Sequence, residues 1–235
     1  MKKRFKGIFF DMGGTLIFPD PERISMVFSR IQSPPPSPKD VLDSIHHATA
    51  EMDEALEGGK RLSRDWWTLY FGGMIRHLKT DKPLSMELTQ RFFQDLKTDH
   101  EKNNLWARLA DGAMEILESL AEKKYYLGVI SNSDGRVKSQ LEENGLFHHF
   151  SFVLDSHVVK CEKPDPEIFR MGLKISGLKA DEVLYVGDFV NIDFIGATQA
   201  GMSALIVDPL GLRKKNKAPR ITRLSELPAW LEKDS

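Results

Sequence analysis

The chain has 235 residues, 41% of them hydrophobic and 29% charged, which suits one folded core domain with a smaller insertion. Its 33 basic and 34 acidic side chains leave a formal net charge of -1, so there is no electrostatic basis for a nucleic acid or an anionic membrane as partner. The single cysteine, Cys161, excludes an intramolecular disulfide and a cysteine-based zinc site. The start Met1-Lys2-Lys3-Arg4 is basic, but the apolar run at residues 7–10 stops at Asp11, too short for a signal segment. No run approaches the roughly 18 apolar residues of a membrane span. A cytoplasmic protein is the expectation.

Residues 6–10 form a short apolar run ended by Asp11 and the pair Gly13-Gly14, the pattern of a buried strand entering a loop. From residue 18 to about residue 104 the pattern turns helical. Asp20-Pro21 joins a cap to a first-turn proline, and Ile24, Val27, Phe28 and Ile31 follow at helical spacing. Pro34-Pro35-Pro36 ends that helix. Ser37-Pro38 opens a second, whose stripe is Val41, Ile45, Ala48, Met52 and Ala55, up to Gly58-Gly59. Ser63 opens a third with Trp66, Trp67, Phe71 and Ile75, and Ser85 a fourth with Leu88, Phe92 and Leu96. No strand signal stands in this block, which predicts four helices around a small core of their own.

Strands then alternate with helices. Asp111-Gly112 leads into a helix through Ile116, Leu117 and Leu120, followed by strands at 126–130, 152–154, 183–186 and 203–207. Between them the spacing predicts helices at 137–144, from Asp165-Pro166, and at 192–200. Residues 213–220 are basic and expected as a loop before a last helix at 226–231. This alternation implies βαβ units and an α/β fold with a parallel sheet covered on both faces. In such sheets the site lies beyond the carboxyl ends of the strands.

Those strand ends carry polar residues. The first gives Asp11-Met12-Gly13-Gly14-Thr15, the second Ser131-Asn132-Ser133-Asp134, and the fourth Gly187-Asp188 with Asp193 five residues on. Lys163 stands before Pro164-Asp165-Pro166 at a helix start. A carboxylate attacking phosphorus must overcome repulsion from an anionic substrate. It needs a cation between them, hydroxyl and amide donors on the phosphoryl oxygens, and a lysine opposite. Asp11 and Asp188 suit a hard Mg²⁺ ion, which takes one or two carboxylates plus waters and substrate oxygens. Gly13-Gly14 would let the backbone approach a ligand and turn its N–H groups toward it.

The set Asp-x-x-Gly-Thr-Leu, Ser-Asn, Lys-Pro-Asp-Pro-x-x-Phe and Gly-Asp-x-x-x-x-Asp-x-x-Gly-Ala, in that order across residues 5–208, resembles the haloacid dehalogenase-like superfamily. The resemblance implies a Rossmann-like α/β core at residues 1–17 and 108–235, and an inserted all-helical cap domain at residues 18–107 that selects the substrate. It implies Asp11 as nucleophile and metal ligand, the Gly13 carbonyl as a second ligand, and Asp188 as a direct Mg²⁺ ligand. Thr15, Ser131 and Asn132 would hold the transferring group and Lys163 would screen its charge. Asp193 would support the metal water or Lys163. The implied partner is a small phosphorylated or similar anionic metabolite.

One position departs from that pattern. Phosphatases of the superfamily carry a second aspartate two residues after the nucleophile, where this chain has Gly13. General acid–base help is worth roughly 10²–10⁴ in rate, or about 3–5 kcal/mol of barrier. Its loss leaves attack by Asp11 intact but should slow the departure of alkoxide leaving groups. Four readings stand: a phosphatase for good leaving groups or one recruiting another carboxylate or a water, with Asp20 and Glu22 as candidates; a dehalogenase, although those relatives show Asp-x-Tyr-Gly-Thr and need no metal; a phosphonatase using a cap lysine, although neither Lys39 nor Lys60 has an apolar setting that would lower its pKa; and a phosphate- or partner-binding pseudoenzyme.

Plainer roles are expected elsewhere. Asp165 caps a helix, and Asp134 is a turn residue. His46-His47 and His148-His149 are adjacent pairs whose side chains diverge, expected at the surface. Trp66-Trp67 and Phe92-Phe93 belong to the helical core, with one member of each pair facing out. Cys161 is a loop residue, reactive only if exposed beside positive charge.

Overall fold

The computed structural model describes residues 5–58, 65–79, 83–213 and 217–233. The basic start at residues 2–4, Gly59, Lys60 and the helix start at Ser63 lie outside the described residues. The chain divides into two compact units, one of Met1–Phe18 with Leu109–Ser235 and one of Pro19–Arg108. In chain order the elements are β1 (Gly7–Phe10), β2 (Ile17–Pro19), α1 (Pro21–Phe28), α2 (Pro38–Ala55), α3 (Trp66–His77), α4 (Met86–Lys102) and β3 (Trp106–Leu109). There follow α5 (Ala113–Glu122), β4 (Tyr126–Ser131), α6 (Val137–Glu143), β5 (Phe152–Asp155), the short α7 (Ser156–Val159) and α8 (Pro166–Ser176). The chain ends with β6 (Val183–Gly187), α9 (Ile195–Gln199), β7 (Ser203–Val207), β8 (Arg220–Ile221) and α10 (Leu227–Lys233).

The first unit is a six-stranded sheet in the order β5-β4-β1-β6-β7-β8, with every neighbouring pair parallel. This is a Rossmann-like α/β fold. Strand β1 sits at its centre, Gly7 opposite Tyr126 on one side and Val183 on the other. Every residue of β1 and β6 is buried, which explains why both read as continuous apolar runs rather than alternating ones. Each large side chain enclosed here contributes about 1.5–3 kcal/mol. Two glycines make room for the packing. A Cβ on Gly128 would lie 2.2 Å from the Phe152 ring, and one on Gly172 of α8 would lie 3.0 Å from Ile130. Phe152 can therefore meet Phe9 edge-to-face at 4.9 Å, and α8 lies close against the sheet.

In the second unit the expected caps form: Asp20 accepts from the Glu22 and Arg23 N–H groups, Ser37 from Asp40 and Ser85 from Leu88. Phe28 and Phe92 stack at 4.2 Å inside it. The buried residues of α3 are Tyr70, Phe71, Gly73 and Met74; of the expected stripe, Phe71 is buried, Trp67 and Ile75 are half-buried and Trp66 is exposed. At Gly73 the missing Cβ lets Ala48 of α2 approach to where a Cβ would be 3.0 Å away. Ala55 is likewise exposed, and Leu56 is buried in its place.

Three strands were not legible. β2 and β3 pair as a separate two-stranded sheet at residues where no strand was expected, being too short to show a period of two. β8 adds two residues to the main sheet at the end of the basic segment expected as loop, pairing Arg220 with Ile206. The helix expected from residue 192 starts earlier, as a π-helical turn over Val190–Phe194 that runs into α9.

Candidate active site

Having run outward from β1 through β4 to β5, the chain returns to the opposite side of β1 as β6. At such a reversal the connecting segments leave in opposite directions and open a crevice beyond the carboxyl ends of the strands. Asp11 follows β1, Ser131 ends β4, and Asp188 follows β6, so the expected strand-end residues converge at this reversal. The Asp11 N–H donates to the Val186 carbonyl at 2.9 Å, which fixes the end of β1 against β6.

Lys163 is the hub. Its Nζ donates to Asp193 Oδ1 at 2.7 Å and to the Tyr185 hydroxyl at 3.0 Å, and lies 3.0 Å from Asp11 Oδ1. Only 1% of its side chain is exposed. Asn132 positions it from the main chain: its Nδ2 donates to the Lys163 carbonyl at 2.9 Å, and its Oδ1 accepts from the Lys163 N–H at 2.8 Å. The Asn132 amide is thus engaged with the loop that carries the lysine. Asp193, fully buried, accepts the lysine on one oxygen and the Asp188 and Phe189 N–H groups on the other, at 3.0 and 2.9 Å. The π-helical turn makes this reach possible, since Phe189 accepts from both Asp193 and Phe194 and so turns the Asp193 side chain back toward β6. Gly187 is required beside it, because a Cβ there would lie 2.4 Å from the Asp193 carboxyl.

Asp11 Oδ1 accepts from the Met12 N–H at 2.7 Å, and the Ser131 hydroxyl pulls the pKa of this carboxyl down. The Gly13-Gly14 loop passes over Asp188. Gly14 has φ +75°, and a Cβ on it would lie 2.3 Å from Asp188 Oδ2. The Gly14 N–H, expected to face a ligand, donates instead to the Ile17 carbonyl at 2.9 Å. Gly13 is half-buried and bridges to Ile17. Thr15 is fully enclosed, and its hydroxyl has no hydrogen-bond partner among the described residues.

Oxygens of Asp11, Asp188 and Asp193 lie within 4.8 Å of one another, the only such acidic cluster of metal-ligating type among the described residues. Three buried carboxylates face one buried ammonium, which leaves surplus negative charge. Burial pushes the Asp11 carboxyl up to about 6 against the opposing pull of Lys163, and Asp193 adds to the rise. Asp188 is pushed well above the usual range by burial, then by Asp193 and Asp11. Burial draws the Lys163 ammonium down, but Asp11 and Asp193 outweigh it and the net shift is upward. Asp188 Oδ1 is buried with no hydrogen-bond partner among the described residues. A carboxylate oxygen enclosed without a donor, beside two further acids, fits a hard cation.

Sequence reasoning missed Tyr185, although a tyrosine within an otherwise aliphatic buried strand signals a hydroxyl in need of a partner. It also missed Asp155, whose two oxygens accept from Val137 and His157 at the starts of α6 and α7. The plainer readings have these outcomes. Asp165 caps α8 through the Glu167 N–H, and Asp134 is an exposed turn residue paired with Arg136. Asp20 is engaged as the cap of α1 and Glu22 is exposed. Lys39 is exposed and held up by Asp43. Burial pushes the Cys161 thiol up, away from reactivity. His148 is exposed, whereas His46, His47 and His149 are half-buried, His47 stacking on His77. Trp66 and Phe93 face outward more than Trp67 and Phe92. No helix among the described residues is long and apolar enough to cross a membrane.

A family model of haloacid dehalogenase-like hydrolases matches residues 5–201. Haloacid dehalogenase-like hydrolase domain-containing protein 3 of Mus musculus is 29% identical over 167 residues, covering 67% of this chain and 62% of that protein. Glyceraldehyde 3-phosphate phosphatase of Methanothermobacter thermautotrophicus is 42% identical over 95 residues, 39% of this chain and 41% of that protein. The chain spans about three fifths of the length of the animal relatives it matches. Among solved structures, a HAD phosphatase from Thermococcus onnurineus aligns with a TM-score of 0.61 at 26% identity, covering 97% of this chain and 98% of that one.

Proposed function

The chain belongs to the haloacid dehalogenase-like hydrolase family, and from that premise we propose that it is a Mg²⁺-dependent phosphatase acting through an aspartyl intermediate on Asp11. The observation that carries this reading is the cluster of Asp11, Asp188 and Asp193 within 4.8 Å, facing the buried Lys163 at the strand reversal. Asp11, Asp188 and the Gly13 carbonyl would hold the cation, which when bound supplies positive charge against the phosphoryl oxygens and the attacking carboxylate. Asp193 acts through Lys163 and the 188–189 backbone, which it grips with both oxygens.

Asp11 attacks phosphorus, the bond to the leaving oxygen breaks, and a phosphoaspartate results. Water then attacks that phosphorus, phosphate leaves, and the carboxylate is regenerated. Met12 and Lys163 hold the Asp11 carboxylate for attack. Ser131 would donate to the transferring group, while Asn132 secures the Lys163 loop. Gly13 has no side chain to protonate the leaving oxygen or to activate water, so leaving groups that depart as stable anions are preferred. The substrate is a small phosphorylated metabolite, and the helical segment at residues 18–107 serves as the cap that selects it. Twofold support comes from relatives named as phosphatases.

The test is hydrolysis of an aryl and an alkyl phosphate, with Mg²⁺ and with EDTA, in the parent and in Gly13→Asp. The parent is expected to favour the aryl ester and to lose activity in EDTA. Gly13→Asp is expected to raise the alkyl rate, by up to roughly 10²-fold or more if the carboxyl reaches the leaving oxygen. Asp11→Asn should abolish turnover; full activity in that variant would overturn the assignment. Halide release from a 2-haloacid without metal would replace it with a dehalogenase.

A further inference from the structure

We propose that Tyr185 is a positioning residue that fixes the Lys163 ammonium, and that its hydroxyl sets the geometry of the proposed nucleophile. An ammonium has three donors. Lys163 donates to Asp193 at 2.7 Å and to the Tyr185 oxygen at 3.0 Å, and is ion-paired with Asp11 at 3.0 Å. The hydroxyl has one proton, which it donates to the Ile130 carbonyl at 2.7 Å. It therefore turns a lone pair to the lysine and can only accept from it. Direction is fixed along the whole chain from Ile130 through Tyr185 and Lys163 to Asp11.

The anchoring is rigid at each end. Tyr185 lies opposite Phe9 of β1, and Ile130 belongs to β4 on the far side of that strand, so the phenol spans β1 and ties both flanking strands to the lysine. Phe169 of α8 meets the Tyr185 ring edge-to-face at 4.9 Å. The ammonium lies 5.5 Å from the ring centroid but 3.0 Å from the hydroxyl, off the oxygen end of the ring rather than above its face. The oxygen makes the contact, and phenylalanine would not preserve it. With two donors engaged by Asp193 and Tyr185 and its side chain buried, the Lys163 ammonium is held 3.0 Å from Asp11. It acts on Asp11, and Tyr185 acts through it.

The kinetic half of the test rests on the phosphatase reading; a second half does not. Tyr185→Phe is compared with Phe169→Leu, which disturbs the same ring packing but keeps the hydroxyl. For an aryl phosphate with Mg²⁺, Tyr185→Phe is expected to lower kcat about 10-fold at unchanged KM, the scale of one hydrogen bond to a charged group. Phe169→Leu is expected to lower the melting temperature and leave kcat per folded molecule unchanged. Independently, ¹⁵N-lysine NMR of the parent should show one slowly exchanging ammonium signal, assigned by its absence in Lys163→Met. That signal should broaden away in Tyr185→Phe and persist in Phe169→Leu. A signal equally sharp in Tyr185→Phe overturns the proposal, as does its absence from the parent or an unchanged kcat beside a loosened ammonium. If the parent hydrolyses no phosphate ester, the phosphatase reading fails and the NMR comparison still decides the role of Tyr185.

Discussion

Lys163 is ion-paired with both Asp11 and Asp193, and its removal leaves these two buried carboxylates without that ammonium. Lys163→Met should therefore destabilise the protein at neutral pH by about 3–5 kcal/mol, the range for breaking a buried ion pair from one side. The loss should shrink as the pH falls below about 6, where Asp11 takes up a proton and no longer needs the lysine. Urea unfolding of both proteins at a neutral and an acidic pH checks this. Asp11, Ser131, Lys163 and Asp188 were legible in the sequence because each is a polar residue at the end of an apolar run or at a helix start. Tyr185 was not, because its hydroxyl acts across β1 on a lysine 22 positions away, a pairing that no local pattern carries. The engagement of Asn132 with the Lys163 backbone was hidden for the same reason.

At the scale of elements, Asp155 ends β5 and caps two helices at once, α6 through Val137 and α7 through His157. It is buried, so its removal leaves two helix-end N–H groups without an acceptor. Asp155→Ala should cost about 2–4 kcal/mol, two caps at roughly 1–2 kcal/mol each, measured by chemical denaturation. Helix starts were legible at Asp20, Ser37 and Ser85 because the cap is a local signal. The buried face of α3 was legible only at Phe71, because the close approach of Ala48 to Gly73 comes from a different helix. Strands β2, β3 and β8 escaped notice because pairing defines them, and two to four residues cannot display a period.

For the whole molecule, the acidic cluster couples stability to pH and to cations. The folded pKa of Asp11 is raised from 3.8 to about 6, and that of Asp188 is raised too. Their contribution to stability is thus fully present below the unfolded values and is lost as the pH rises through the folded ones. A bound cation replaces those protons. Added Mg²⁺ should then raise the melting temperature more at about pH 8 than at about pH 5; an equal shift at both would separate the cation from this cluster. The alternation of strands and helices made the parallel sheet legible. It did not reveal the strand order, because the return from β5 to the far side of β1 is decided by packing across the sheet.

The central place of β1 has a consequence during synthesis. Its four residues, all enclosed in the finished sheet, are made long before β6, which alone closes one flank, where Gly7 meets Val183. At about 5–20 residues per second the ribosome needs roughly 10–35 s to deliver that partner. Through this interval an apolar strand with an open edge stands on the nascent chain, exposed to chaperones and to its own copies. Slowed translation between residues 20 and 180 should therefore increase aggregation of this protein without altering its finished stability.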